Sequence, residues 1–228
     1  MHVTSEPAIL YFGTPVVLIS TTNEDGFPNL APMSSAFWLG WRCILGLSAF
    51  SKTTRNLMRT GECVLNLASV DNVAAVNRLA RTTGSSPVPE AKVKRGYRFE
   101  RDKFELAGLT PIAAETIAAP RVLECPVQLE AVLESRHELA ADDDKLRGRT
   151  LILEVRVQRV HLEESILLDA DPNRIDPDKW RPLIMSFQKF YGLEGGQVHD
   201  SSLARSPESM YRSPDVERAR NAFTRARR

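Results

Sequence analysis

The sequence predicts a mainly β protein with a few helices, folded as a closed or partly closed antiparallel barrel. Three observations predict it. Short β-branched runs separated by turn residues fill the first third of the chain, and two long β-rich stretches, 121–135 and 149–163, lie further on. Only two or three segments carry a helical period, too few to cover both faces of a doubly wound sheet. At 228 residues, with 43% hydrophobic and 26% charged side chains, the chain can bury a core and has the composition of neither a disordered nor a disulfide-stapled protein.

Each element has a local reason. Thr14 to Thr21, TPVVLIST, is β-branched, and Asn23-Glu24-Asp25-Gly26 after it is turn chemistry, because Asn, Asp and Gly tolerate positive φ. A second extended stretch runs from Pro28 to about Phe37. Leu39-Gly40-Trp41 turns it into a third, Arg42 to Ala49, and the three are expected to form an antiparallel meander. Ser51 opens a short helix with hydroxyl residues suited to capping, and the helix stops before Gly61. Glu62 to Ala68 is a strand, and in 71–81 the spacing of Val73, Val76 and Leu79 marks one buried helical face. The segment 82–90, TTGSSPVPE, has the composition of an exposed loop. In 149–163, Leu151, Leu153, Val155, Val157 and Val160 nearly alternate with polar residues, as in a strand packed on one face and wet on the other. The acidic run 141–145 is the solvated tip of the hairpin joining the two long stretches.

Thirty Lys and Arg against 29 Asp and Glu leave a net charge of +1, so nothing global points to nucleic acid or a membrane surface as partner. The balance is uneven. Residues 205–228 hold seven Arg against Glu208, Asp215 and Glu217, a local +4. This tail reads as a solvated terminal helix or an arm packing on a neighbouring subunit, with polyanion binding as the alternative. Cys43, Cys63 and Cys125 are odd in number, with no Cys-x-x-Cys, and are expected to be buried free thiols. A secretory pattern is absent and no apolar run approaches the roughly 20 residues of a membrane span, so a cytoplasmic protein without a membrane partner is expected.

Familiar catalytic motifs are missing: there is no Gly-x-Ser-x-Gly, Walker loop, Gly-x-Gly-x-x-Gly or His-Glu-x-x-His. His2, His137, His161 and His199 are scattered, so no metal site and no catalytic side chain is assigned, and His161 reads as structural or surface-placed, with a role near a ligand as the alternative. The informative region is 28–68. The hydroxyl pair Ser34-Ser35 lies on one strand, and a second polar cluster, Ser48 through Thr54 with Lys52, begins a helix. A phosphate needs several donors and some positive charge, and a first helical turn supplies unpaired N–H groups and a positive dipole end. Lys52 adds a point charge and Arg55 a planar fork. By residue chemistry alone the cluster fits simple helix capping as well as a phosphate cradle.

Several motifs in order go further. Asn29-x-Ala31-Pro32-x-Ser34, then Ser51-Lys52-x-Thr54-x-Asn56, then Gly61-Glu62-Cys63-Val64-Leu65-Asn66 resemble the flavin reductase family with its FMN-binding split β-barrel. Lys103-Phe104-x-x-Ala107-Gly108-Leu109-Thr110 and 119–130, APRVLECPVQLE, are similar to its flavoredoxin-like branch. The resemblance, which runs from about Pro15 to Leu168, implies a Greek-key-like split barrel and a homodimer; the pattern dissolves after Leu193, so 1–193 is expected to form the barrel domain and 194–228 an Arg-rich C-terminal extension. It also implies an FMN site. Pro32, Met33, Ser34, Ser35 and Ala36 would line the isoalloxazine and ribityl chain, Ser48, Ser51, Lys52, Thr53 and Thr54 would hold the ribityl and phosphate end, and Asn56 would support them.

The implied chemistry is hydride transfer from NADH or NADPH to flavin N5, as a flavin reductase or a flavoredoxin-like electron carrier, with a partner monooxygenase or another acceptor downstream. No protein acid or nucleophile is needed, which accounts for the missing motifs. Many members carry Gly-Asp-His-Thr before the last long strand, where this chain has Gly148-Arg149-Thr150, and a guanidinium cannot shuttle protons. The segment 180–191, rich in aromatics, is expected to pack in the core or at a dimer contact, or else to reach the flavin pocket. The rival reading is a non-catalytic flavin-binding or haem-binding module; for haem, His161 or His199 would have to be an axial ligand.

Overall fold

The structure, a computed structural model, describes residues 1–169, 171–193, 196–199 and 201–226. In chain order the elements begin with β1 (Phe12–Pro15), β2 (Val17–Thr22), β3 (Pro28–Met33), β4 (Ala36–Leu39), β5 (Arg42–Ser48), α1 (Lys52–Thr60) and β6 (Glu62–Leu67). Next come α2 (Val73–Arg78), β7 (Thr82–Thr83), α3 (Glu90–Val93), β8 (Arg98–Phe99), α4 (Lys103–Ala107), β9 (Pro111–Ile112) and β10 (Arg121–Val122). The long β11 (Val127–Glu138) and β12 (Thr150–Leu162) are followed by β13 (Leu167–Leu168), β14 (Asp171–Ile175), β15 (Ile184–Ser186), β16 (Lys189–Tyr191) and α5 (Pro214–Ala226).

Seven strands form one antiparallel sheet in the order β3-β2-β6-β11-β12-β5-β4. Its two edge strands, β3 and β4, are consecutive in the chain and joined only by Ser34-Ser35. Three Cα steps of about 3.8 Å keep Met33 and Ala36 within roughly 11 Å, so one end of each edge is drawn toward the other and the sheet curls as a split barrel does. Among the described residues no ladder joins β3 to β4, which leaves the barrel split along that seam. The expected meander is therefore corrected: β2 pairs with β3 and β4 with β5, on opposite edges. Neither Ser34 nor Ser35 has the positive φ of a tight hairpin, so the chain crosses the seam where a turn would have folded it back.

Period-two alternation sorts the side chains into two layers. Val17 and Ile19 of β2, Cys43, Leu45 and Leu47 of β5, Leu65 of β6, Leu129 and Ala131 of β11, and Leu153, Val155 and Val157 of β12 fill the barrel interior. Leu18 of the same β2 points the other way, into a second layer with Leu30, Ala75, Val76 and Leu79 near α2, Phe104 and Ala107 of α4, and Leu183. The three cysteines are free and buried, as expected, and burial pushes their thiols well above the ordinary range, so none is a ready nucleophile.

Three further expectations are corrected. Val73 is exposed, and the buried face of the 71–81 segment is Ala75, Val76 and Leu79, because a 3-10 turn over Val70–Asn72 resets the helical phase. The 82–90 segment begins buried: Thr82, Thr83 and Ser85 are enclosed, with β7 pairing in parallel with β8. The C-terminal helix α5 docks on the chain's own barrel. Arg42 of β5 donates from Nε to Asp215 Oδ2 at 2.9 Å and also pairs with Glu154 of β12, while Asp215 and Ala219 are buried. Asp215 sits in the first turn of α5, where the helix dipole favours a carboxylate.

Candidate functional site

The site is built around β5. Gly46 donates its N–H to the Ser35 carbonyl at 2.9 Å, and a Cβ on Gly46 would lie 3.4 Å from the Ser35 side chain. The Ser34-Ser35 crossing is thereby laid flat against β5. Two residues on, about 7 Å along the same side of the strand, comes exposed Ser48. Its carbonyl accepts from Ser51 N–H at 3.0 Å and from Thr54 Oγ1 at 2.8 Å, which fastens the first turn of α1 to the end of β5. The barrel seam at Ser35 and the N-terminus of α1 are thus both fastened to one strand.

Ser51 is the N-cap of α1, accepting the Thr54 N–H at 3.0 Å, and its hydroxyl meets Thr54 Oγ1 at 2.8 Å. Capping is real here. It leaves the Lys52 and Thr53 N–H groups without intrahelical acceptors, as the first turn of any helix does. The Lys52 ammonium is paired with Glu24 in the β2–β3 turn, and this ion pair, with Glu24's own backbone contact, holds the Glu24 carboxyl below its usual range. Phe50, 61% exposed between Ser48 and Ser51, is an aromatic at the mouth of the site that sequence reasoning passed over.

The expected site residues separate into groups. Ser34, Ser35, Ser51 and Lys52 are half-buried and Ser48 is exposed, so each keeps some surface, with Ser35 beside Gly46 at one end of this stretch and Lys52 beside Glu24 at the other. The Ala36 side chain and Met33 turn toward the barrel core, so backbone is what Ala36 presents outward, and Pro32 pairs with Leu18 on the edge strand. Thr53, Thr54 and Asn56 are buried beneath the cradle. Asn29 donates to Thr53 Oγ1 at 3.2 Å and to Thr21 Oγ1 at 3.3 Å, and Asn56 donates to Thr21 Oγ1 at 3.1 Å and Asn23 Oδ1 at 2.8 Å. Asn56 and its neighbours therefore brace α1 against β2 and β3. Arg149 lies at the margin, its carbonyl accepting the Ala49 N–H at 3.0 Å.

A buried cation completes the floor. Lys103, the first residue of α4, is 3% exposed and donates to Asn29 Oδ1 at 3.1 Å. Desolvation, aided by nearby Lys92 and opposed by Glu100, pushes its ammonium down to about 7. Nothing along the chain marks this lysine as buried; only the fold, which starts α4 at Lys103 and sets it against Asn29, gives it a role. An ammonium depressed from 10.5 contributes stability that is complete above about pH 10.5 and is lost as the pH falls through about 7. Urea titrations between pH 7 and 10 are expected to show stability rising with pH, and Lys103→Met to remove most of that slope; an unchanged slope would contradict the assignment.

Gly84 closes the roof. A Cβ there would lie 2.6 Å from Asn29 Oδ1 and 3.2 Å from the Lys52 side chain, so the 82–90 segment presses directly on both. Gly84→Ala is expected to destabilise by about 1–3 kcal/mol, as overpacking does, and to lower the urea midpoint. An unchanged midpoint would mean that the segment is free to lift away.

His161 is engaged elsewhere: its Nε2 lies 2.7 Å from Oε1 of buried Glu130, which accords with a structural role. In the 180–191 segment, Leu183 is buried, Trp180 packs on the barrel core, and Met185 and Phe190 pack on the second layer. Phe187 stays at the surface, edge-on to Phe12 with ring centroids 4.9 Å apart. Among the described residues no three His, Cys, Asp or Glu side chains are grouped to hold a metal, and no helix is long and apolar enough to cross a membrane.

Comparison with known proteins gives this geometry a family. The model of the flavin reductase like domain matches residues 9–194. An uncharacterised protein of Bacillus subtilis (strain 168), YdfE, is 39% identical over 188 residues, which is 82% of this chain and 87% of that protein. Among solved structures, flavoredoxin of Desulfovibrio vulgaris (Miyazaki F) superposes with a TM-score of 0.70 at 21% identity, covering 90% of this chain and all of that one. Nitrilotriacetate monooxygenase component B from Bacillus cereus superposes with a TM-score of 0.65 at 24% identity, covering 82% and 88%. The split barrel is thus the fold of these proteins, and the chain belongs to the flavin reductase-like domain family.

Proposed function

We propose that the protein is an FMN-binding oxidoreductase that takes hydride from NADH or NADPH and passes reducing equivalents onward. One observation carries the reading: β5 holds the seam at Ser35 through Gly46 and, two residues on, the N-terminus of α1 through the Ser48 carbonyl, which supports a flat strip at one end and an anion cradle at the other. FMN has the same two ends. Bound flavin would supply a ring that accepts hydride at N5.

The chain's own residues then have definite tasks. The Lys52 and Thr53 N–H groups and the Lys52 ammonium hold the phosphate, with Lys52 exchanging its Glu24 partner for the ligand. Ser34, Ser35 and Ser48 offer hydroxyl and backbone groups along the strip. Thr53, Thr54 and Asn56 keep the first turn of α1 in place from below. Lys103 holds Asn29, and through it Thr53 in the first turn of α1, from beneath. Arg149 stands in the position where many members have His, and there it offsets negative charge without moving a proton.

We further propose a cytoplasmic homodimer, with residues 1–193 as the catalytic unit and 194–228 as an appended extension. Tyr11, Phe12, Phe37 and Phe187 are exposed, and Tyr11 reaches Ser35 at 3.2 Å, so the apolar patch adjoins the site. The similarity to a monooxygenase component B supports a partner monooxygenase as electron acceptor. Anaerobic mixing of the FMN-loaded protein with NADH or NADPH tests the activity. Rapid bleaching of the flavin absorbance is expected; flavin that stays oxidised with both donors would leave a binding module in place of a reductase.

A further inference from the structure

Tyr11, immediately before β1, reaches the barrel seam from outside the seven-stranded sheet: its phenol oxygen lies 3.2 Å from Ser35 Oγ. Three features hold it there. The Tyr11 carbonyl accepts the Phe187 N–H at 3.0 Å and the Ser186 hydroxyl at 3.3 Å, so the β15–β16 hairpin grips its backbone. Gly13, at φ +104°, is the extra residue of a bulge in β1, between the Phe12–Ser186 and Thr14–Met185 pairs, and a bulge re-aims the side chains beside it. Phe12 then packs edge-on against Phe187.

The hairpin that makes this grip is itself strained. Its two-residue turn is Phe187-Gln188, with φ of +45° and +65°. Asn-Gly is the favoured pair for a turn of that shape, and a bulky aromatic in the left-handed region is a genuine outlier. Such strain persists where the surrounding structure over-determines it, and it gathers at ligand clamps and active sites. Here the strained residue is the one that holds the Tyr11 carbonyl and packs on Phe12.

Each hydroxyl has one hydrogen to donate. Between Tyr11 and Ser35 one of the two is used in their mutual bond, whichever side donates, and the other remains for a ligand laid on the seam. A flavin ring carries carbonyl oxygens and ring nitrogens that accept such a bond. We infer that Tyr11 is a positioning residue for the ring end of the flavin: it fixes the orientation of the Ser35 hydroxyl and leaves the pair one hydrogen for a ring acceptor. The inference rests on the flavin reading of the site and adds to it a residue that lies outside the β5 strip.

The test titrates the full chain with FMN and with riboflavin, which has the same ring and no phosphate. Tyr11→Phe keeps the aromatic ring and removes the hydroxyl, at a side chain exposed enough to accept the change. It is expected to weaken both flavins alike, by about two- to tenfold, the size of one neutral hydrogen bond. The visible absorption bands of the bound flavin should shift with it. Ser35→Ala should do the same, and Tyr11→Phe placed in the Ser35→Ala background should add nothing, because the two hydroxyls act as a unit. Parent affinity and an unshifted spectrum in Tyr11→Phe, a loss confined to FMN, or additive losses in the double variant would each overturn the inference while flavin binding stands. Failure of the parent chain to bind either flavin overturns the underlying reading instead.

Discussion

Replacing Glu130 by alanine is expected to destabilise the protein by about 3–5 kcal/mol, the range for removing one partner of a buried charged network. Glu130 is fully buried on β11 and accepts from the Glu115 N–H at 2.8 Å, the Thr116 N–H at 2.7 Å, the Thr116 hydroxyl at 2.5 Å and His161 at 2.7 Å. Arg121 lies 3.8 Å away. The carboxylate thereby pins the 113–118 connection, and Glu62 pins its other end through the Ala118 N–H at 3.0 Å. Alanine leaves two backbone donors without acceptors and strands a histidine. For a domain of this size the melting temperature should fall by roughly 6–20 °C.

Acid should act on the same latch. Burial by itself would raise the Glu130 carboxyl, but the hydrogen bonds from His161, Thr116 and the Glu115 N–H outweigh it and bring it down to about 2. The depressed carboxyl contributes stability that is complete above about pH 4.5 and lost as the pH falls through about 2. Urea unfolding of the parent and Glu130→Ala at neutral pH and near pH 3 checks both statements. A loss below 1 kcal/mol at neutral pH would show that the connection is held by something else.

Lys52→Ala should weaken FMN binding about 10- to 100-fold, the size of one hydrogen bond to a charged group. Thr54→Val should weaken it less, because Thr54 acts from below through the Ser48 carbonyl and the N-cap. The Glu24 ion pair sharpens the expectation. Glu24 competes with the phosphate for Lys52, so Glu24→Gln is expected to tighten FMN severalfold while leaving the fold intact, its side chain being 60% exposed. Fluorescence titration of the three variants decides the matter, and equal affinities for all would remove Lys52 from the phosphate cradle.

The sequence displayed what depends on neighbours along the chain. The Ser51 cap, the Gly61 stop, the 23–26 turn and the alternation in β12 are set within a few residues, and each was legible. Pairing was not. Ser34-Ser35 looks like the middle of one extended stretch, and only the seven-strand order shows it crossing from one sheet edge to the other. The same limit hid the floor of the candidate site. Asn29, Thr53 and Lys103 are far apart in the chain, and Lys103 gains meaning only when burial removes its water and leaves an asparagine as its hydrogen-bond acceptor. The 82–90 segment misled for a related reason, since Gly, Ser and Pro report local turning and say nothing of a glycine pressed between Asn29 and Lys52.

Titration of the purified, flavin-free protein with FMN, followed by quenching of flavin fluorescence, tests the central claim most directly. The predicted result is saturable binding of one FMN per chain that is weakened by Lys52→Ala. No binding at millimolar FMN, or binding indifferent to Lys52, would contradict it.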